Sequence, residues 1–537
     1  MTLKIGSNEN NGHSPDAPLL DLSKFAYNHS SIPVLNHGDK VLIKRGTTMQ
    51  CNNVKLYTNN FGLKKCDFVY VGAYGSGDDP ILTNHKELSR TRLVKYVDNI
   101  YYVDLSTDGT NSNIGFIYDP KQDEIYGNRV FEMGKLENYM DFYVEDNKLY
   151  IYSKELESIP ENMCLALGNN IMTCDANTIY ENLHFTLGGI HGLATTKDAN
   201  FNIIVKNCMF SKIGGSQLSG TTRYGNGFEI YGDGYDIQVQ NCIFEDIYDT
   251  GVTFQGENCT FKNCSFNHNV FRRCGQACEN WCDNKTAGEG YINCTFNDNL
   301  CLLSGHGFGG KNRNNGYDFM LTNANCINTD ITVKNNIFFK AKDGCYSIVK
   351  GTNVKCSKNK IYLYDEQVIN NYIEKTMKQY KEYIEETKQD ASSKFIVLDC
   401  KNKNGALEEV MLSADLFMSN INHMYSNANC NNNDFEQNNS INILEIEGSY
   451  LENIKSNTLL VIDDLVIVNL KAKAKTEIPA YTTYAFNKSL YGFTLEQQYV
   501  DENNYVNLAN GMLYFQSKVV VPAGSDINVY GIVKLKK

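Results

Sequence analysis

Between residues 202 and 363 apolar and polar positions alternate in short runs that keep returning. Aligned on apolar-x-apolar-x-x-(Cys/Asn)-x-aromatic, they read Ile203-x-Val205-x-x-Cys208-x-Phe210, Ile237-x-Val239-x-x-Cys242-x-Phe244 and Cys264-x-Phe266-x-x-Asn269-x-Phe271. Then come Cys294-x-Phe296-x-x-Asn299-x-Cys301, Ile331-x-Val333-x-x-Asn336-x-Phe338 and a weaker Val354-x-Cys356-x-x-Asn359-x-Ile361. Successive units begin 23 to 37 residues apart, while the core of each unit keeps its length. A fixed strand with a loop of variable length predicts a parallel β-solenoid, in which each coil buries its alternate residues by stacking on the next. The period of two turns Val205, Val239, Phe266, Phe296 and Val333 inward as one column. Cys208, Cys242, Asn269, Asn299 and Asn336 form a second column at the bend, where stacked amides can bond one another and the backbone.

The flanking pattern divides the chain further. A polar lead-in occupies 1–35, and Gly-bounded runs at 38–46 and 67–77 predict the first strands of a solenoid spanning 36–365. An alternating stretch at 142–152, broken by Asp146-Asn147, predicts a hairpin. The run 366–387 carries Ile369, Ile373, Met377, Tyr380 and Ile384 on one stripe behind a candidate N-cap, Asp365. It predicts a helix lying over the end of the solenoid, with a short coiled coil as the alternative. An Asn-rich linker at 427–439 closes this segment, 366–440. Separate strands follow at 456–467, 471–484, 511–521 and 526–535, inside a last region, 441–537.

Composition narrows the partners. A chain of 537 residues has room for more than one core. Its net charge of −12 argues against an electrostatically held nucleic acid and against steering towards a polyanion by the overall field. The 35 Tyr and 26 Phe beside a single Trp suit a β-rich fold with a carbohydrate-facing surface. The 18 Cys fall largely at inward positions, as small apolar side chains of a reduced protein. Cys274, Cys278 and Cys282 have metal-like spacing but no fourth ligand, so no metal site is expected. No apolar run follows Met1 and none reaches membrane-spanning length, which predicts synthesis in a cytoplasm without a signal peptide and no membrane insertion.

Outward residues of neighbouring coils lie ~4.8 Å apart and can build a platform for a glycan. Counting past each repeat places Asp249, Gln276, His306 and Asp343 in one outward row, Glu229, Thr253, Glu279 and Gly309 in the next, and Tyr231, Gln255, Trp281 and Lys311 in a third. Glu229 and Glu279, two coils apart, would stand roughly 9–10 Å from each other, the spacing of an inverting glycosidase pair, with Asp249 as a second carboxylate or alternate base. Trp281 beside Glu279 offers a flat apolar face to a sugar ring. Tyr231, Gln276, His306, Lys311 and Arg313 complete the candidate substrate contacts. Arg223, in the loop before Glu229, is a candidate for an acidic sugar.

The N-terminal coils and the hairpin resemble those of right-handed parallel β-helix proteins of the pectate-lyase-like superfamily. The stretches 475–484 and 519–531 look like the small β-sandwich at the tip of phage tail fibres and tailspikes. A β-helix followed by such a tip is similar to a bacteriophage tailspike. That resemblance implies an all-β chain, a right-handed parallel β-helix with a small C-terminal antiparallel β-sandwich, assembled as a homotrimer on a virion tail and acting extracellularly on a bacterial surface polysaccharide. Many tailspikes carry a longer N-terminal particle-binding domain than the lead-in 1–35, so direct attachment to a virion is not part of what the resemblance implies. Hydrolysis by the carboxylate pair needs no cofactor. The alternative, β-elimination on a uronic acid, would use Lys311, Arg313, His306 or Tyr231, with Ca²⁺ held by Asp233, Asp236, Asp246 and Asp249. A third reading is a non-catalytic glycan-binding adhesin.

Overall fold

The computed structural model describes residues 34–58, 68–108, 110–195, 200–283, 290–313, 315–322 and 326–398, short pieces between 7 and 22, and the strand backbones between 451 and 536. Two compact units divide the chain at Val397/Leu398.

The first unit is a parallel β-helix, whose crossovers favour the right-handed sense. Three long sheets run along it. In one, the repeats stack in the expected register: Tyr180, Val205, Val239, Phe266, Phe296, Val333 and Cys356 pair in succession, all of them buried. On the next sheet Phe185, Phe210, Phe244 and Phe271 stack at 4.8, 4.7 and 5.0 Å between ring centroids. The bend between these sheets is the amide ladder. Asn269 N–H donates to Asn299 Oδ1, Asn299 N–H to Asn336 Oδ1 and Asn336 N–H to Asn359 Oδ1, each at 2.9 Å. Their Nδ2 groups donate to the carbonyls of Val239, Phe266 and Phe296. The residue just before each ladder position takes a positive φ, as at Asn207, Asn241, His268, Asp298, Asn335 and Lys358. Asn and Asp accept that conformation more readily than most side chains, which explains their abundance at the corners.

The strands Lys40–Lys44 and Val69–Tyr74 pair in parallel as the first coils. Phe142–Glu145 and Lys148–Tyr152 form the expected hairpin, with positive φ at both Asp146 and Asn147. Of the 15 described cysteines all but Cys326 are buried; among the described residues no cluster of three or more His, Cys, Asp or Glu is placed to hold a metal ion.

The helix expected over 366–387 is confined to Tyr380–Thr387. Its first half continues the solenoid instead. Val368–Asn370 pairs with Gly344–Ile348, Ile369 is fully buried, and Asn370 side-chain atoms bond both backbone groups of Ile348. The cap is a capping box at Thr376 and Gln379 on the single turn Met377–Gln379, which leads into the helix, not Asp365. Periodicity could not separate the two outcomes, because Ile369 and Ile373 serve a strand and a turn as readily as a helical stripe. The remainder does cover the solenoid: Met377 and Tyr383 join its core cluster and Ile384 packs against it. Asp390 and Ser393 then close the ladder on Asn359.

The second unit contains antiparallel strands in a four-stranded sheet and a three-stranded sheet. The stretches 456–467 and 471–484 marked as strands cross the observed breaks, since Leu451–Ile462 pairs with Leu465–Ala474. The linker 427–439 lies outside the described residues. No described helix is long and apolar enough to cross a membrane.

Candidate active site

The third sheet carries the site. Its strands Phe228–Tyr231, Thr250–Glu257, Gln276–Asp283 and Tyr317–Thr322 pair in parallel. Phe228, Ile230, Val252, Phe254, Cys278 and Cys282 enter the core, so alternation sends Glu229, Thr253 and Glu279 to the other face in one cross-strand row. Tyr231, Gln255 and Trp281 form the neighbouring row. Both rows match the sequence reading up to this strand and depart from it after. Met320 takes the place assigned to Gly309, and Thr322 that assigned to Lys311. In the remaining row Gln276 pairs with Thr250, one residue beyond Asp249.

The cause of the departure is an excursion after Leu300–Leu302. Leu303, Ser304 and Gly305 still bond to the neighbouring coils, after which the chain leaves the solenoid and makes a single 3-10 turn, Phe308–Lys311, before the next strand begins. The excursion lies so close to the coil that a Cβ on Gly309 would fall 1.8 Å from the Tyr248 carbonyl oxygen. Phe308 packs on Tyr248 and Phe116. His306, exposed, belongs to this excursion and not to the row of Gln276. Asp343 accepts from the Gly316 N–H where the excursion returns. Lys311's side chain lies outside the described residues.

Arg313, by contrast, is brought into the site. Its Nη1 stands 2.8 Å from Asp249 Oδ2 and donates to the Arg223 carbonyl at 3.0 Å. Arg223 is not available to an acidic sugar: it is buried, donates to the carbonyls of Gly215 and Gly115, and lies 4.4 Å from the Tyr248 ring. It staples the hairpin Ser216–Ser219/Thr222–Tyr224 onto the β-helix as one wall of the site. Burial pushes its pKa down to about 10.

Four residues hold the carboxylates, of which the sequence reading places only Gln255, in the third outward row, and gives it no role. The Asn226 N–H donates to His191 Nδ1 at 3.0 Å, which puts the ring proton on Nε2, 3.4 Å from Glu229 Oε1. Asn226 Nδ2 and Gln255 Nε2 donate to Glu229 Oε2 at 2.8 and 2.7 Å. Asn226 Oδ1 in turn accepts the Thr250 N–H. Thr250 Oγ1 reaches Asp249 Oδ1 at 3.4 Å and Glu279 Oε2 at 3.3 Å. Two carboxylate oxygens beside one hydroxyl are within roughly 7 Å of each other. The repeat alignment started at residue 202, upstream of which His191 sits two residues before a strand that pairs with Phe228–Tyr231; extending it by one coil would have found that histidine.

Three carboxyls therefore gather here, with the Arg313 guanidinium on Asp249. Glu279 is pushed up to about 7, first by burial and then by the negative charges of Asp249 and Glu229. Burial also raises Asp249, while Arg313 and His191 pull it back. Arg313 is ion-paired with Asp249 and acts on Glu279 only through its charge, and among the described residues Glu279 has no ion pair, so the proton belongs on Glu279. Tyr224, edge-on to the His191 ring at 5.3 Å, is raised by burial and by Glu229. Asp233, Asp236 and Asp246 are engaged elsewhere, with the Thr260 N–H, Asn263 Nδ2 and Arg273 respectively.

No protein-family model matches the chain, and no curated protein matches it. Solved structures do. A GH136 lacto-N-biosidase from Eubacterium ramulus is 13 % identical, over 72 % of this chain and 65 % of that one, with a TM-score of 0.33. XylC in complex with xylose is 12 % identical over 68 % of this chain and 84 % of that one, TM-score 0.31. The tailspike of Acinetobacter baumannii bacteriophage Fri1, a capsular polysaccharide depolymerase, is 9 % identical over 94 % of this chain and 86 % of that one, TM-score 0.19. The chain thus spans just under two thirds of the first of these proteins. Likenesses this distant bear on neither substrate nor mechanism, which rest on the chain's own residues.

Proposed function

We propose that this chain is a glycoside hydrolase that cleaves a bacterial surface polysaccharide, a tailspike-type depolymerase working outside the cell as a homotrimer. The observation that carries the reading is the division of charge in the carboxyl cluster. A general acid must hold its proton near neutral pH, and Glu279, pushed up to about 7, does so. Asp249, close to it across Thr250 and paired with Arg313, is the ionised partner, acting as base towards water or as nucleophile towards the anomeric carbon. Glu229, with three donors on its two oxygens, is a fixed negative charge that keeps the proton on Glu279 and stabilises positive charge developing on the sugar ring. Trp281 and Tyr231, on either side of Gln255 in the adjacent row, supply the flat faces on which a sugar chain lies.

Elimination from a uronic acid fits less well. Of the arginines proposed to neutralise its carboxylate, Arg223 is spent on backbone carbonyls and Arg313 on Asp249, and three carboxyls crowd the place where the substrate's own would go. The test is incubation with capsular and wall polysaccharides from candidate hosts, followed by size and end-group analysis. New reducing ends without the ultraviolet absorbance of an unsaturated sugar are expected, and Glu279→Gln should slow their release by about 10²–10⁴-fold. Unsaturated ends would replace hydrolysis by elimination, and binding without cleavage in parent and variant alike would leave an adhesin.

A further inference from the structure

We propose that Gln276 is a positioning residue of the carboxyl cluster: it takes the one proton of the Thr250 hydroxyl and so turns that hydroxyl into the acceptor that holds the proton of Glu279. The inference rests on the reading of Glu279 as a general acid and says what keeps its proton in place. Gln276 is fully buried, so it is no substrate contact, although it stands on the strand that carries Glu279. Its amide has one orientation. The atom 2.8 Å from the Asn315 carbonyl oxygen must be the donor, since a carbonyl only accepts. The other end, Oε1, then faces Thr250 Oγ1 at 2.9 Å as an acceptor. Without a proton between them, two buried oxygens at that distance would repel and both would lack a partner. Three acceptors stand around this hydroxyl, which has a single proton to give. Glu279 Oε2 and Asp249 Oδ1 are further off, at 3.3 and 3.4 Å, so the shortest contact takes it.

Direction reverses the sign of the contact. A hydroxyl donating to Glu279 would favour the carboxylate and pull its pKa down. With the proton on Gln276, Thr250 Oγ1 offers Glu279 a lone pair, into which the neutral acid can donate and which opposes the carboxylate. The contact then works in the same sense as burial and the charges of Asp249 and Glu229, which push Glu279 up. This relay begins on the excursion. Asn315, whose carbonyl orients Gln276, follows Arg313 by two residues, and Arg313 is the ion-pair partner of Asp249. One segment thus sorts the charges of both carboxyls. It holds Asp249 ionised through a guanidinium, and Glu279 neutral through a carbonyl, an amide and a hydroxyl.

Infrared difference titration of the full chain tests this without a substrate, by following the protonated-carboxyl band that Glu279→Gln removes. In the parent that band should be lost around pH 7. Gln276→Met frees the Thr250 proton to turn to Glu279 as it ionises, and the midpoint should fall by about one pH unit. Gln276→Asn, too short to span from Thr250 to Asn315, should do the same and serves if the first variant does not fold. In a Thr250→Val background neither change should move the midpoint, because no hydroxyl remains to turn. A midpoint that stays or rises in a variant with parent circular dichroism overturns the proposal and leaves Gln276 a packing residue. A fall that persists in the Thr250→Val background also overturns it, since Gln276 would then not act through the hydroxyl. In cleavage assays the alkaline limb of kcat should move with the same midpoints, with KM within about twofold of the parent. Failure of the hydrolase reading looks different: no form of the chain would cleave, while the infrared midpoints still shifted.

Discussion

Glu229 and Glu279 are the same residue type in the same cross-strand row, yet their surroundings divide their work. Glu229 accepts hydrogen bonds from Asn226 and Gln255 and faces His191 Nε2; among the described residues Glu279 has the Thr250 hydroxyl within reach, and the negative charges of Asp249 and Glu229 oppose its ionisation more than Arg313 favours it. A carboxyl whose folded pKa lies above its unfolded value stabilises the fold only while protonated. Below the unfolded value of 4.5 both states hold the proton and nothing is lost. As pH rises from 4.5 to about 7 the unfolded chain has given up the proton while the folded one still holds it, so stability falls across that window. The full cost above it is roughly 2–4 kcal/mol. Glu279→Gln removes the titration. Thermal melts should therefore show the variant gaining on the parent at pH 8 and matching it at pH 4; an equal difference at both would mean that Glu279 ionises as readily folded as unfolded.

At the scale of elements, the solenoid depends on bends as much as on strands. Asn299 alone accepts from Asn269 N–H and Nδ2 and donates to the Phe266 carbonyl. Asn299→Ala would leave several buried polar groups without partners, a loss of about 2–4 kcal/mol. Urea unfolding should show that loss as a lower midpoint at nearly constant slope, and a change below about 0.5 kcal/mol would demote the ladder to decoration. This ladder was legible in the sequence because its position within the eight-residue unit never shifts, and so were the rows ending at Glu279 and Trp281. The continuation of those two rows past Leu302 was not. An excursion of uncounted length, held down by the glycines around His306, breaks the link between sequence distance and row, which displaced Gly309 and Lys311 from the sheet. Arg223 shows the other limit: sequence position beside a site does not reveal whether a guanidinium faces ligand or backbone, and here two carbonyls had already claimed it. The stripe over 366–387 failed for a third reason, since the last coil competed with the helix for the same apolar residues and won as far as Asn370.

For the whole molecule, the proposed homotrimer is a statement about mass. Sedimentation velocity should give a single species of three chains at micromolar concentration, and a persistent monomer would remove the trimer while leaving a site built within one chain intact. That site is the centre of the account: stacking of coils in register brings Asp249, Glu229 and Glu279 together from separate coils and leaves one proton where an acid is needed. The pH dependence of depolymerisation examines this most directly. The rate should fall above pH about 7 as Glu279 loses its proton, and the residual rate of Glu279→Gln should show no such limb. A parent rate that stays level through that range, or a descending limb retained in Glu279→Gln, would contradict it.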